Sequence, residues 1–393
     1  MENTTVKKPL DKKKIALFVV YGIIAVFLFI TILSFNDLGA IGEQLKMANW
    51  SYMLIALLCI LAYMALFPLS LCILTRSRRT KVNMGTTYCI AMTEHFFNGI
   101  TPLQTGGQPF QAYSFSKAKV KVSESTGLLL ANFLIYMIAT NVFSLLSLIY
   151  FNDFLAKADT WWIVVTVVGF VMNFLVLAVT VVLGMSRTVR GWLIKLIHLL
   201  CKIKFLKKFL EPKAESLETY FVQVQEAFGE LMKKKWHFLF ATFTKLLAYA
   251  ALYVTNFFIL LALNIPVGPE NMFFILCGTA FAITAVVFVP TPGASGGAEQ
   301  SFLVVFGAII GAGASAAAAS LALMWRLFSY YLVMLVSLFF YVGLEVYFGM
   351  KKKKLSAVCE ECDGGDISDA SGDCECGDTA CLGEKADTKI EEQ

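Results

Sequence analysis

Eight stretches of this chain are apolar for longer than any water-exposed helix tolerates: about 15–34, 51–74, 126–150, 161–185, 236–263, 271–290, 300–324 and 327–349. A hydrocarbon core of about 30 Å takes roughly 20 such residues as a helix. With 58% hydrophobic and 16% charged residues, a soluble globule would expose far too much apolar surface. The expected fold is therefore all-α and polytopic, with about seven or eight transmembrane helices. Lys7, Lys8, Lys12, Lys13 and Lys14 precede the first run, as in a signal peptide, but no small-residue cleavage site follows it. It reads as a retained first helix.

Lysine and arginine mark the connections that stay in the cytoplasm. Residues 1–14, the loop with Arg76, Arg78, Arg79 and Lys81, the segment with Lys117, Lys119 and Lys121, the stretch 186–235, and Lys351 to Lys354 are all basic. The connections near 35–50, 151–160 and 264–270 carry acids instead and should face outward. Both termini are then cytoplasmic. One contradiction remains: an apolar segment, 84–115, lies between two loops that must share a side. A single crossing would separate them, so this segment is expected to enter, turn within the membrane and return. Its turn falls at TPLQTGGQP, residues 101–109. Non-helical backbone survives at that depth only against protein or a water-filled cavity.

A second stretch, TPGASGGAE from Thr291, repeats Thr-Pro, two residues, a small hydroxyl and Gly-Gly in the same register. Paired interruptions of this kind point to structural repeats with a binding site between them. Two topologies fit the second half. Either 271–349 crosses three times, or 271–310 forms a hairpin from outside and one long segment crosses inward. The hairpin is preferred, because an inverted repeat places the two hairpins on opposite faces.

Ionisable groups at membrane depth are expensive and mark sites by default. Glu94 and His95 precede the first motif, Glu299 closes the second, and Arg326 separates two apolar runs. Lys245 is expected to snorkel toward the surface. Asn98, Thr101, Pro102, Gly106, Gly107, Gln108, Pro109 and Tyr113 complete the first candidate cluster. Thr291, Pro292, Gly293, Gly296, Gly297 and Tyr330 complete the second. The backbone N–H groups of the two Gly-Gly pairs suit an anion such as a lipid phosphate, with Arg326 as a bidentate partner or, instead, paired with Glu299 or Glu94. No catalytic residue, cofactor or nucleic-acid partner is expected, since the spans hold no metal-ligand spacing and no nucleophile with a base.

The strings NGITPLQTGGQPFQAYSFSKAKV, VPTPGASGGAEQSF and WRLFSYYLVMLV, in this order, resemble the lysylphosphatidylglycerol synthase transmembrane domain family, over roughly residues 10–350. The resemblance implies a flippase-like domain at 15–350 that moves a phospholipid or lipid-linked headgroup between leaflets of a bacterial plasma membrane. In bifunctional members of the family a soluble domain makes lysylphosphatidylglycerol, whose display on the outer face confers resistance to cationic peptides. Only a short tail follows Lys354 here, so the chain is expected to supply the membrane half alone, with a phospholipid as substrate and a separate lipid synthase as a candidate partner. The rival readings are a solute or ion carrier and a non-transporting partner of a separate phosphatidylglycerol lysyltransferase. The oligomeric state is open.

Residues 186–235 mix lysines and arginines with Trp192, Ile197, Phe205 and Phe209, which fits helices lying against anionic inner-leaflet lipids. In the tail, 355–393, twelve carboxylates against two lysines leave a net charge of −10, too polar to fold alone. Its Cys359, Cys362, Cys374 and Cys376 are weak candidates for a soft metal, and a reduced, disordered tail is the preferred reading.

Overall fold

The computed structural model describes residues 46–186, 188, 189, 191, 192, 195, 214–311 and 315–363. The expected first span at 15–34, and Cys374 and Cys376, lie outside the described residues. The chain divides into two compact units, Met1–Tyr341 and Val342–Gln393. Of the second, the described part is the continuation of one helix.

All regular structure among the described residues is helical, and seven segments are long and apolar enough to span a membrane. Helices α1 (Trp50–Leu66) and α2 (Leu69–Ser77) form one bent span. The bend has a cause: Pro68 has no N–H for the Met64 carbonyl, and the Tyr88 hydroxyl donates to it instead, at 3.1 Å. Next come α3 (Met84–Ile100), a single 3-10 turn at Pro102–Gln104, and α4 (Gly107–Lys117). α5 (Val122–Tyr150), short α6 (Asn152–Lys157) and α7 (Thr160–Met185) follow. After α8 (Ala214–Lys233) and α9 (Lys235–Ala262), the second half repeats the interrupted pattern: α10 (Met272–Val286), a 3-10 turn at Pro292–Ala294, then α11 (Gly297–Ile310). α12 (Ser315–Arg326) continues through a π-helical turn, Leu327–Leu332, into α13 (Val333–Asp363).

Two expectations change. The apolar run 300–324 is not one span: α11 stops at Gly311, whose φ of 107° is left-handed backbone that favours glycine. Arg326 lies within continuous helix, and α10 and α11 pack against each other as a hairpin. α13 also continues to Asp363, several residues into the segment assigned to the tail.

Basic connections gather at one end. Arg78 pairs with Glu124 at 3.3 Å and with Glu230, and Lys234 Nζ donates to the Ser77 carbonyl. The loops 76–81 and 117–121 therefore share a side, as the charge pattern requires. At the other end Asn49 N donates to Ala262 O at 2.7 Å, Asn264 Nδ2 to Met47 O at 2.7 Å, and Phe151 stacks on Phe274 at 4.7 Å. So the α3/α4 hairpin enters from the basic end and the α10/α11 hairpin from the opposite one. At 1.5 Å per residue, α3 and α4, of 17 and 11 residues, reach only about 25 and 16 Å and are not among the seven candidate spans, whereas α10 and α11 reach spanning length only together with their 3-10 turns, as Pro269–Val286 and Pro292–Ile310.

The core between these hairpins is aromatic and aliphatic: Phe281, Phe302, Phe306 and Trp325 are buried with Leu252 and Phe257 of α9. α7 turns Val164, Val168, Val171 and Leu175 outward, a face suited to lipid. α8 lies along α5, where Ser123 donates to Gln223 at 2.7 Å and Tyr220 to Thr126 at 2.8 Å.

Close packing is set by glycine. A Cβ on Gly169 of α7 would stand 2.4 Å from the Ala285 carbonyl and 2.6 Å from that of Thr284, and backbone cannot step aside. Gly229 on α8 faces nothing within 4 Å. Gly169→Ala is expected to lose about 1–3 kcal/mol by overpacking, whereas Gly229→Ala gains up to about 1 kcal/mol of helix propensity. Thermal unfolding of the purified variants in detergent checks both signs.

Candidate functional site

The two Thr-Pro turns share their backbone as well as their letters. Thr101 and Thr291 are extended (φ −109°, ψ 143° and φ −106°, ψ 153°), and Leu103 and Gly293 are left-handed (φ 54° and 61°). Gln104 and Ala294 follow at φ 55° and 53°. The copies diverge at the glycines: Gly106 is helical at φ −77°, and Gly296 left-handed at φ 86°. The turns also touch each other. Tyr330, on the π-helical turn, joins them: its hydroxyl donates to the Gly99 carbonyl at 2.7 Å, and a Cβ on Gly293 would lie 2.4 Å from its ring.

Each turn is closed by its own side chains. Asn98 accepts from Gly107 N at 2.8 Å, and Thr101 Oγ1 accepts from Gly106 N at 2.9 Å while donating to Phe97 O at 2.7 Å. In the second copy Glu299 accepts from Gly296 N at 2.7 Å. Arg326 reaches Glu299 through Nε at 2.7 Å and Nη2 at 3.2 Å, and the Gly293 and Ala294 carbonyls at 2.8 and 3.3 Å. Four of its five N–H groups are engaged. These contacts correct the expected phosphate cradle. Three of the four Gly-Gly amides already have partners, and Arg326 takes the alternative role, paired with Glu299.

α13 is tied to α3 by a side chain. Ser337 Oγ accepts from Phe96 N at 3.0 Å and donates to Met92 O.

The inner face of the first hairpin is polar and incompletely paired. Glu94, His95 and Asn98 are half-buried although they sit deep in the fold. Gln111 of α4 donates to Glu94 at 3.1 Å, and its Oε1 is buried without a hydrogen-bond partner among the described residues. His95 Nε2 is buried in the same condition, and its ring lies 4.2 Å from that of Phe67 and 5.5 Å from that of Tyr63. Buried unpaired acceptors of this kind call for water or a ligand.

Lys245 corrects the snorkelling expectation. It is fully buried, donates to the Phe67 carbonyl at 3.0 Å and stands 3.4 Å from the Phe67 ring centre. Phe67 precedes Pro68, so the bend in α1/α2 supplies this acceptor. Tyr249 and Tyr253 follow Lys245 at four-residue intervals on α9, and Tyr136 faces Tyr249 at 5.7 Å. Sequence reasoning passed over this stripe, although the spacing alone puts all three residues on one helical face.

Other candidates fall apart from the centre. Tyr113 is exposed, with the Lys117 ammonium 4.6 Å over its ring. Pro102 and Pro109 are exposed, Gln108, Thr291, Pro292 and Gly297 half-buried.

A family model for the lysylphosphatidylglycerol synthase TM region matches residues 15–337. The chain belongs to this family. Both turns, the Arg326 clamp and the Lys245 stripe lie inside the matched span. Membership places the chain among membrane proteins concerned with lipid. No curated protein gives a significant match.

Removing one member of a buried ion pair costs about 3–5 kcal/mol; with Glu299 30% exposed, Arg326→Gln is expected to cost about 1–3 kcal/mol. Gly293→Ala should destabilise as well, because it needs both a left-handed φ and the space filled by Tyr330. Detergent melts of both variants, with Tyr113→Phe as an unaffected control, test these assignments.

Proposed function

We propose that the protein moves the head of a phospholipid or related lipid between leaflets, the acyl chains staying in the bilayer. The supporting observation is the meeting of the two hairpin turns near the half-buried polar residues Glu94, His95 and Asn98. A polar head crossing hydrocarbon alone loses its hydrogen bonds; a half-buried polar wall replaces them in part. That wall holds a carboxylate, the unpaired amide oxygen Gln111 Oε1 and the unpaired ring nitrogen His95 Nε2. Such a wall favours a donor-rich head, and an aminoacyl lipid such as lysylphosphatidylglycerol has this chemistry. On this reading the basic end faces the cytoplasm of a bacterial cell, near anionic inner-leaflet lipid, and a separate synthase supplies the substrate. Export of a cationic lipid would lower the negative charge outside and protect against cationic peptides.

The test is reconstitution into liposomes with fluorescent lysylphosphatidylglycerol, reading the fraction of label open to an external quencher. The native protein should equilibrate both leaflets, and Asn98→Ala and Glu94→Gln should slow this at least tenfold. Label that stays as static as in protein-free vesicles overturns the reading. Movement of a soluble amine instead of the lipid would favour a solute carrier.

A further inference from the structure

We infer that Lys245 is a proton-carrying group that competes with the cationic lipid head for Glu94, so that the head is exchanged for a proton. The inference rests on the headgroup reading above and specifies what drives it.

Lys245 is 0% exposed, and no carboxylate among the described residues lies within ion-pair distance of it. One backbone carbonyl and one ring face are its partners, which leaves an ammonium poorly compensated for so dry a place. The carboxylate whose field reaches it is Glu94. Glu94 in turn is half-buried, and the fully buried Gln111, which donates to it, keeps an unpartnered Oε1. The site therefore has one negative charge for which two cations would compete, the Lys245 ammonium and the amine of an incoming head.

Like charges at close range in a poorly polarisable interior repel strongly. When the head's ammonium settles on Glu94, a protonated Lys245 is left without compensation, and its N–H proton leaves to water; when the head departs, nitrogen takes a proton back. Only an N–H bond breaks and forms, and the charge of the centre is conserved. Lysine can shed its proton inside a protein, whereas arginine cannot.

The surroundings support titration at this point. α1 presents Tyr63, α2 Cys72, α5 Tyr136, and α9 itself Tyr249 and Tyr253. α3 presents His95 together with Glu94. α10 and α12, which also pack on α9, have Cys277 and Arg326 as their titratable residues, and Arg326 is spent on Glu299. α8 lies at the basic end, where Glu230 pairs with Arg78. Glu94 is the acid of the centre.

The experiment uses proteoliposomes of phosphatidylcholine with a trace of fluorescent lysylphosphatidylglycerol, the membrane potential clamped by valinomycin and potassium. A pH difference is imposed and the steady-state leaflet ratio is read. One-for-one exchange moves the cationic lipid toward the acidic side, about tenfold in ratio per pH unit, since one unit is a tenfold proton ratio. Lys245→Met and Lys245→Arg should still move label but settle at the same ratio with or without the gradient. Label that moves in the native protein without responding to pH overturns the exchange and leaves lipid movement standing. Accumulation on the alkaline side overturns it in favour of joint movement. A gradient response undiminished in both variants removes Lys245 from the role. Label static in every vesicle overturns this inference and the headgroup reading together.

Discussion

Every interruption of a helix leaves backbone groups that must find partners, and that constraint shapes the molecule. Each break frees N–H and C=O groups that lipid cannot satisfy. The protein answers with side chains from one or two turns away: Asn98 and Thr101 for the first copy, Glu299 for the second. The Gly293 and Ala294 carbonyls need a partner from further off, and Arg326 provides it. The bend at Pro68 obeys the same rule, with Tyr88 and Lys245 taking the two carbonyls it exposes. Residues that looked like ligand-binding groups are thus partly consumed by the backbone.

This explains which features were legible in the sequence. Hydropathy and loop charge are summed over many residues, so spans and the parity of the 84–115 hairpin could be read directly, and the Thr-Pro repeat predicted two interruptions, whose dihedrals match. The meeting of those turns followed from the inverted-repeat argument. The stop at Gly311 was hidden, because glycine, alanine and serine around it are as apolar on average as a span. Amide satisfaction was hidden too: whether Gly107 N–H is free depends on the rotamer of Asn98, nine residues away. Lys245 was misjudged because snorkelling depends on what surrounds a stem, and the bend at Pro68 aims a carbonyl at this one.

Two cations at depth therefore have opposite fates. Arg326 has a bidentate carboxylate and two carbonyls, contacts that fix geometry and hold a permanent charge. Lys245 has one carbonyl, an aromatic face and a carboxylate out of ion-pair reach. The residue types match these surroundings, since guanidinium forks suit planar acceptors and an amine on a flexible stem suits a changing environment.

The same contrast divides the two hairpins. Up to the fourth residue the turns are near copies, but the second is bound by charge-assisted contacts and the first by neutral ones. A neutral hydrogen bond contributes about 0.5–1.5 kcal/mol net, one to a charged group about 1.5–3. The second hairpin is therefore the more strongly fixed of the pair. Its partner keeps the half-buried Glu94, His95 and Asn98, and its acceptors are incompletely used. Duplicated backbone is thus held by unequal bonding, tight in the second copy and incompletely used in the first.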